Sequence, residues 1–162
     1  MLKDMDPGFR FREWSIYKDA RAFRIEMTKI LSAFPKEERY ALIDQAKRAL
    51  LSVILNIAES ANKSTDKDMR LYINRAHCSL DEVVACFDCA VDSGYIAKKQ
   101  HEEILQKASN LAKQLNGFTA YLSKINNSKL MVNSQKLTVN NGGQTLVELL
   151  LALGLFAFIM TG

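Results

Sequence analysis

Proline and glycine are scarce in this sequence, with 2 Pro and 7 Gly among 162 residues. Both prolines, Pro7 and Pro35, come early, so the rest of the chain contains long stretches without a strong helix breaker. The chain is 48% hydrophobic and 25% charged, which is typical of a globular protein and excludes a disordered one. We therefore predict an all-α fold.

Residue patterns typical of catalysis are also few. The chain has two histidines, His77 and His101, and no glycine-rich phosphate loop. Di-iron helix bundles carry a Glu-x-x-His pair on two helices, and this sequence has none. We predict that the protein is not an enzyme and that it needs no metal and no cofactor.

Three cysteines are present, and Cys86 and Cys89 form a C-x-x-C sequence with His77 and Cys78 upstream. A redox pair of this kind lies at a helix start, where the helix dipole lowers the thiol pKa, and a zinc site needs four converging ligands. Here the pair lies inside a helical pattern. We predict that these cysteines belong to the core, and the odd number in a short chain argues against a disulfide framework.

The spacing of apolar residues predicts four long helices with short connections. Helix 1 is expected over about residues 13–33, helix 2 over 36–61, helix 3 up to about residue 93 and helix 4 over 98–125. Thr65 followed by Asp68 resembles a capping arrangement, and Gly94 offers a left-handed stop. Short connections favour antiparallel neighbours, so we predict an antiparallel four-helix bundle.

Basic residues are concentrated on the outer side of predicted helix 1. Residues 1–127 carry 20 Lys and Arg against 17 Asp and Glu, which is only mildly basic. A candidate phosphate-binding patch for nucleic acid is formed by Arg10, Arg12, Lys18, Arg21 and Lys29. The alternative is an ordinary solvated helix face, because Asp19 and Glu26 lie on the same helix.

Two polar stripes run along predicted helices 2 and 3. Polar residues recur every three or four positions on helix 2, while apolar residues cover most of its remaining circumference. In an antiparallel pair the mirrored positions are Glu59 with Asp68, Asn56 with Tyr72, Ser52 with Arg75, and Arg48 with Ser79 and Glu82. We predict a structural polar network formed by Gln45, Arg48, Ser52, Asn56, Glu59, Arg75, Ser79 and Glu82.

Such a network would need internal partners, because an unpaired buried polar group costs about 1–3 kcal/mol. If Arg48 and Glu82 form a buried pair, removing the arginine would cost about 3–5 kcal/mol. The alternative is that each stripe is a solvated helix face.

At these residues the chain resembles the four-helix-bundle proteins encoded in intervening sequences of 23S rRNA genes, and the related accessory variability proteins of diversity-generating retroelements. The resemblance covers about residues 11–125, and Ser60, where Gly is usual, leaves the branch open. The residues that carry it are Phe34-Pro35, Glu38, Tyr40, Leu42, Gln45, Arg48-Ala49, Ser52, Asn56-Ile57-Ala58-Glu59, Ala76, Ser79-Leu80, Glu82 and Gly94-Tyr95-Ile96.

The resemblance implies a non-catalytic accessory protein that forms a ring-like homo-oligomer, a pentamer. It also implies binding to structured RNA or an RNA–DNA hybrid and, in the retroelement branch, to a reverse transcriptase. Two alternatives are a scaffolding bundle without nucleic acid and a component of pilus assembly.

The sequence changes character after residue 125. A polar linker leads to Gly143-Gln144-Thr145-Leu146-Val147-Glu148 and an apolar run that ends at Met160, which resembles the start of a type IV prepilin. The resemblance implies cleavage after Gly143, methylation of Gln144 and a Glu at the fifth mature position, Glu148. We accordingly divide the chain into a bundle over residues 1–127, a linker or prepilin-like leader over 128–143 and a pilin-like hydrophobic segment over 144–162.

That last segment is expected to associate with the inner membrane, although it is shorter than the roughly 20 residues of a spanning helix and looks truncated. It belongs to a true fusion, a read-through or a truncated gene, which the sequence does not separate. The alternative is a fifth helix that docks on the bundle. Residues 1–12 contain no apolar signal segment, so we expect the bundle in the cytoplasm.

Overall fold

A computed structural model describes residues 8–125, and these residues form four α-helices. They are α1 (Ser15–Leu31), α2 (Leu42–Ser60), α3 (Asp66–Asp92) and α4 over residues 98–125. Short 3-10 helices at Arg10–Glu13 and Lys36–Tyr40 precede α1 and α2. The described residues contain no strand. The predicted all-α, four-helix fold is therefore confirmed.

The helices are arranged so that each one lies beside its neighbours in sequence. α2 packs against both α1 and α3. α4 meets α3 where His101 Nε2 lies 2.7 Å from Asp88 Oδ1. α4 also returns to α1, where Gln114 Nε2 donates to Asp19 Oδ2 over 2.8 Å and Lys107 pairs with Glu26. The bundle is thus closed along four seams.

The core lies between the helices and consists of aliphatic and aromatic side chains. Met27 of α1, Phe87 of α3 and residues of the other two helices are fully buried, and Phe34 meets Phe87 edge-on with ring centroids 6.3 Å apart. Burying one such side chain contributes about 1.5–3 kcal/mol. The largest fully buried apolar residues are Met27, Leu31, Leu50, Ile57, Ile73, Leu80, Val83, Phe87, Ile104 and Leu115.

The start of α2 differs from the prediction. We expected one helix from residue 36, but the chain forms a 3-10 helix there and leaves helical geometry at Ala41, where φ is −114° and ψ is −101°. The Glu38 carboxylate explains the break, because it accepts a hydrogen bond from the Tyr95 hydroxyl at 2.9 Å and from the Leu42 backbone N–H at 3.4 Å. The hydrogen bond to Glu38 also raises the pKa of Tyr95.

The ends of α3 form as the sequence indicates. Thr65 Oγ1 accepts a hydrogen bond from the backbone N–H of Asp68 at 3.0 Å, which caps the first turn. At the other end Gly94 has φ of +73°, and the N–H groups of Gly94 and Tyr95 donate to the carbonyls of Val91 and Ala90. This is a Schellman ending, which favours glycine because the left-handed conformation is strained for other residues.

We expect Thr65→Ala to lower the free energy of unfolding by about 1 kcal/mol, the usual value of a threonine cap. Urea denaturation measures the change. Ser64→Ala is the matched control, because Ser64 is an exposed hydroxyl residue outside the helix, at the position before the cap. Equal losses for the two variants would contradict a capping role.

Candidate nucleic-acid interface

The predicted basic patch lies on the outer face of α1. The buried side of this helix carries Ile16, Ala20, Phe23, Met27 and Leu31. Lys18, Arg21 and Lys29 are all exposed on the opposite side. Lys29 lies eleven residues after Lys18, so the patch extends about 16 Å along the helix axis.

Two of these three cations have partners within the protein. Lys18 Nζ lies 2.8 Å from Glu13 Oε2, and this hydrogen bond lowers the pKa of Glu13. The Arg21 guanidinium lies over the Tyr17 ring at 5.9 Å from its centroid. An exposed ion pair of this kind contributes at most about 1 kcal/mol, so an incoming phosphate can replace Glu13 at low cost.

The two arginines before α1 have different surroundings. Arg10 donates from a guanidinium nitrogen to the Ala61 carbonyl at 2.7 Å, which ties the N-terminal 3-10 helix to the end of α2. Arg12 is exposed on the same 3-10 helix. Arg10 therefore has a structural contact that the sequence pattern did not predict.

Charge is distributed unevenly along the bundle. The antiparallel order brings residues 8–22, 52–79 and 112–122 to one end, which carries nine Lys or Arg against five Asp or Glu. The opposite end, residues 23–51 and 80–111, carries nine Lys or Arg against ten Asp or Glu. We call the first of these the basic end. It includes Arg10, Arg12, Lys18 and Arg21, whereas Lys29 belongs to the opposite end.

The structure brings the two polar stripes together along the seam between α2 and α3. The Gln45 amide donates to the Glu82 carboxylate and accepts from the Arg48 guanidinium at 2.6 Å. The hydroxyl oxygens of Ser52 and Ser79 are 2.8 Å apart. Asn56 Nδ2 donates to the Ser52 carbonyl at 2.9 Å. A row of polar contacts therefore follows the seam.

The mirrored register holds where Gln45 meets Glu82 and does not hold at Ser52. Ser52 faces Ser79, whose hydroxyl donates to the Arg75 carbonyl at 3.0 Å, while the Arg75 guanidinium lies over the Tyr72 ring at 4.7 Å. The Arg48 guanidinium pairs with Asp44 at 2.9 Å and reaches Glu82 only through Gln45.

The polar row is only partly buried, with Gln45, Ser52 and Asn56 half-buried, so the condition of a buried Arg48–Glu82 pair is not met. The Arg48 side chain is 64% exposed, and Arg75, Glu82 and Glu59 are exposed too, whereas Ser79 is buried. The seam lies at the surface because nothing among the described residues covers the outer side of α2 and α3. The penalty of about 3–5 kcal/mol for breaking a buried pair therefore does not apply to Arg48.

The cysteine prediction holds for one residue of the C-x-x-C sequence. Cys86 is buried, and burial raises the pKa of its thiol. Cys78 and Cys89 are exposed, so placing them in the core was wrong. Cys86 is 8% exposed and lies at the margin of the buried face of α3, and Cys89, three residues on, is rotated about 60° farther from the middle of that face. No group of metal-ligating side chains occurs among residues 8–125.

The prepilin-like residues Gly143, Gln144 and Glu148 lie outside the described residues. Within residues 8–125, no helix has the length and apolar composition that a membrane span requires.

Comparison with known proteins supports the predicted fold and the predicted family. Residues 12–117 match the 23S rRNA-intervening sequence proteins, and this match takes in most of the bundle. The chain belongs to this family. Of the predicted interface, Arg12, Lys18, Arg21 and Lys29 and both polar stripes lie within the match, and Arg10 lies just before it.

A solved structure of another protein has the same fold. It is a protein of unknown function from the S23 ribosomal protein family of Bacteroides thetaiotaomicron, with a TM-score of 0.60 and 18% sequence identity. The similarity covers 65% of this chain and 95% of that chain. A search of curated proteins gave no significant match.

Proposed function

We propose that this intervening-sequence protein is a non-catalytic nucleic-acid-binding protein that holds structured RNA or an RNA–DNA hybrid through phosphate contacts. The observation that carries the proposal is the exposed cation row of α1, which continues into the basic end of the bundle.

Phosphate contacts suit this surface better than base recognition in a groove. Lys18, Arg21 and Lys29 lie on one face of α1 over about 16 Å, and flexible basic side chains on such a face follow a phosphate backbone. Each phosphate neutralised releases counterions, so affinity falls with salt at a log-log slope of about −0.7 to −0.9 per contact.

The test is a charge reversal of the α1 patch, Lys18→Glu with Arg21→Glu and Lys29→Glu, in the full chain. We expect binding to weaken for all RNA sequences alike, and the salt slope to fall in magnitude by about 2–3, since each lysine or arginine contributes about 1. Fluorescence anisotropy with labelled RNA at several salt concentrations measures both effects.

The matched control reverses three exposed lysines at the opposite end, Lys36, Lys98 and Lys99, and changes the net charge equally. We expect this variant to bind nearly as well as the parent protein. Equal weakening by both triple variants would mean that net charge alone matters. Unchanged binding of the α1 variant would move the interface elsewhere, and binding independent of salt would reject phosphate contacts.

We also propose that the bundle self-associates through the outer face of α2. Leu51 and Leu55 lie one turn apart on this face and are 42% and 50% exposed. Exposed apolar pairs beside a polar row are typical of protein interfaces, in which an apolar centre is bordered by polar contacts. A ring-like homo-oligomer would bury them.

A partner besides nucleic acid depends on the branch of the family, and the neighbouring genes identify the branch. A reverse transcriptase gene with a template repeat beside this gene would favour the retroelement branch and a reverse transcriptase as partner. A ribosomal RNA operon around it would favour the intervening-sequence branch. Pilus-assembly genes would favour the prepilin alternative.

A further inference from the structure

An open groove lies between the start of α1 and the second half of α4, at the basic end. Its volume is about 480 Å³, and it is lined by Trp14, Ser15, Ile16, Gln114, Gly117, Phe118 and Tyr121. Pockets that hold small organic ligands have volumes of about 300–1,000 Å³. The groove is therefore large enough for one flat aromatic ligand.

Aromatic side chains form much of its wall. The Trp14 and Phe118 rings are in contact, with centroids 5.1 Å apart and planes inclined at 47°. Both residues are partly buried against the core, so their rings are held in place. Tyr121 is 59% exposed on the turn of α4 that follows. Two fixed rings and one exposed ring thus face the same opening.

Gly117 keeps the groove open. A glycine inside a helix costs about 1 kcal/mol relative to alanine, so its presence in α4 calls for a reason. A Cβ atom built at Gly117 meets nothing within 4 Å, which excludes close packing against another described residue as that reason. The space next to Gly117 is the groove itself. A side chain at this position would occupy that space.

Basic and acidic residues both border the groove, and the excess of positive charge belongs to the end of the bundle around it. Lys18 lies one turn after Trp14 on α1, and Lys113 lies one turn before Gly117 on α4. Two acids lie nearby as well, since Glu13 pairs with Lys18 and Asp19 accepts a hydrogen bond from the neutral Gln114 amide. The surrounding end of the bundle carries an excess of Lys and Arg, as counted above.

We propose that this groove holds one unpaired nucleobase of a bound RNA. The base stacks on the aromatic side chains, and the flanking phosphates lie along the basic end. The inference rests on the proposed function and adds a preference for RNA with an unpaired base. Every base has an aromatic face, so stacking selects unpaired over paired nucleotides without reading sequence.

Trp14 provides a direct test, because it is the only tryptophan in the chain. Full-length protein is titrated with a short single-stranded oligoadenylate and with an RNA duplex of equal length. We expect the single strand to quench Trp14 fluorescence. We expect Gly117→Leu, which fills the groove, and Tyr121→Ala, which removes the exposed ring, to weaken single-strand binding about 5- to 100-fold and to leave duplex binding unchanged.

Tyr40→Ala is the control, since Tyr40 is an exposed tyrosine at the opposite end of the bundle, and it should change neither affinity. Thermal melting shows that each variant is folded. The groove proposal is overturned if Trp14 is not quenched and both groove variants bind the single strand normally. In that case loss of binding in the α1 charge-reversal variant would still support the proposed function. If neither RNA binds the parent protein, both proposals fail.

Discussion

Replacing Leu80 with alanine is expected to lower the free energy of unfolding by about 2–5 kcal/mol, because the substitution removes buried methyl groups and leaves a cavity. Leu80 lies in the middle of α3 and is 1% exposed, within the core shared by the four helices. Domains of this size are stable by about 5–15 kcal/mol, so the loss is a large part of the total. Guanidinium denaturation monitored by circular dichroism measures the change.

Leu71→Ala is the matched control, because Leu71 lies on the same helix and is 48% exposed. The two variants change helix propensity equally, so their difference reports burial alone. We expect the loss at Leu71 to be about 0.5 kcal/mol or less, as for other surface positions. A similar loss at both positions would show that α3 is rotated relative to the arrangement described above.

The double change Leu51→Glu and Leu55→Glu is expected to abolish the self-association proposed above and to leave a monomer. Two carboxylates introduced on one turn of α2 cannot be buried in an interface without a large desolvation cost. Light scattering at micromolar concentration measures the mass. Both side chains are already exposed in the single chain, so the fold itself should be retained.

Ile25→Glu combined with Leu71→Glu is the matched control for that experiment. These residues are also exposed and apolar, but they lie on α1 and α3. We expect this variant to keep the mass of the parent protein. A parent protein that is already monomeric would reject self-association, and a mass change in the control alone would place the interface on another face.

Local features of the fold were predictable because their causes lie close together in sequence. The Thr65 cap needs only Asp68, and the end of α3 needs only Gly94 and the carbonyls of the preceding turn. The break before α2 was not predictable, because the Glu38 carboxylate is held by Tyr95, 57 residues away. Nothing in the sequence near residue 41 announces a contact of that kind.

In the candidate site, too, local features were predictable and contacts between distant segments were not. Spacing within α2 and α3 was enough to predict two stripes, but their register and exposure depend on how the helices rotate about their axes. The contact between Arg10 and Ala61 and the groove beside Trp14 were missed, since both join distant segments. One signal for the groove was present in the sequence, namely Gly117 inside an otherwise uninterrupted helical pattern.

The seam between α1 and α4 has a consequence for folding and opening. Its polar contacts join Lys107 to Glu26 and Gln114 to Asp19, pairs that are separated by 81 and 95 residues in the sequence. This seam therefore closes the longest loop of the bundle, which has the largest entropy cost of closure. The contacts are exposed, and a second cavity of about 310 Å³ lies between the same two helices. We therefore expect the contacts between α1 and α4 to form last when the chain folds and to separate first when the bundle opens, which would part the two walls of the groove beside Trp14.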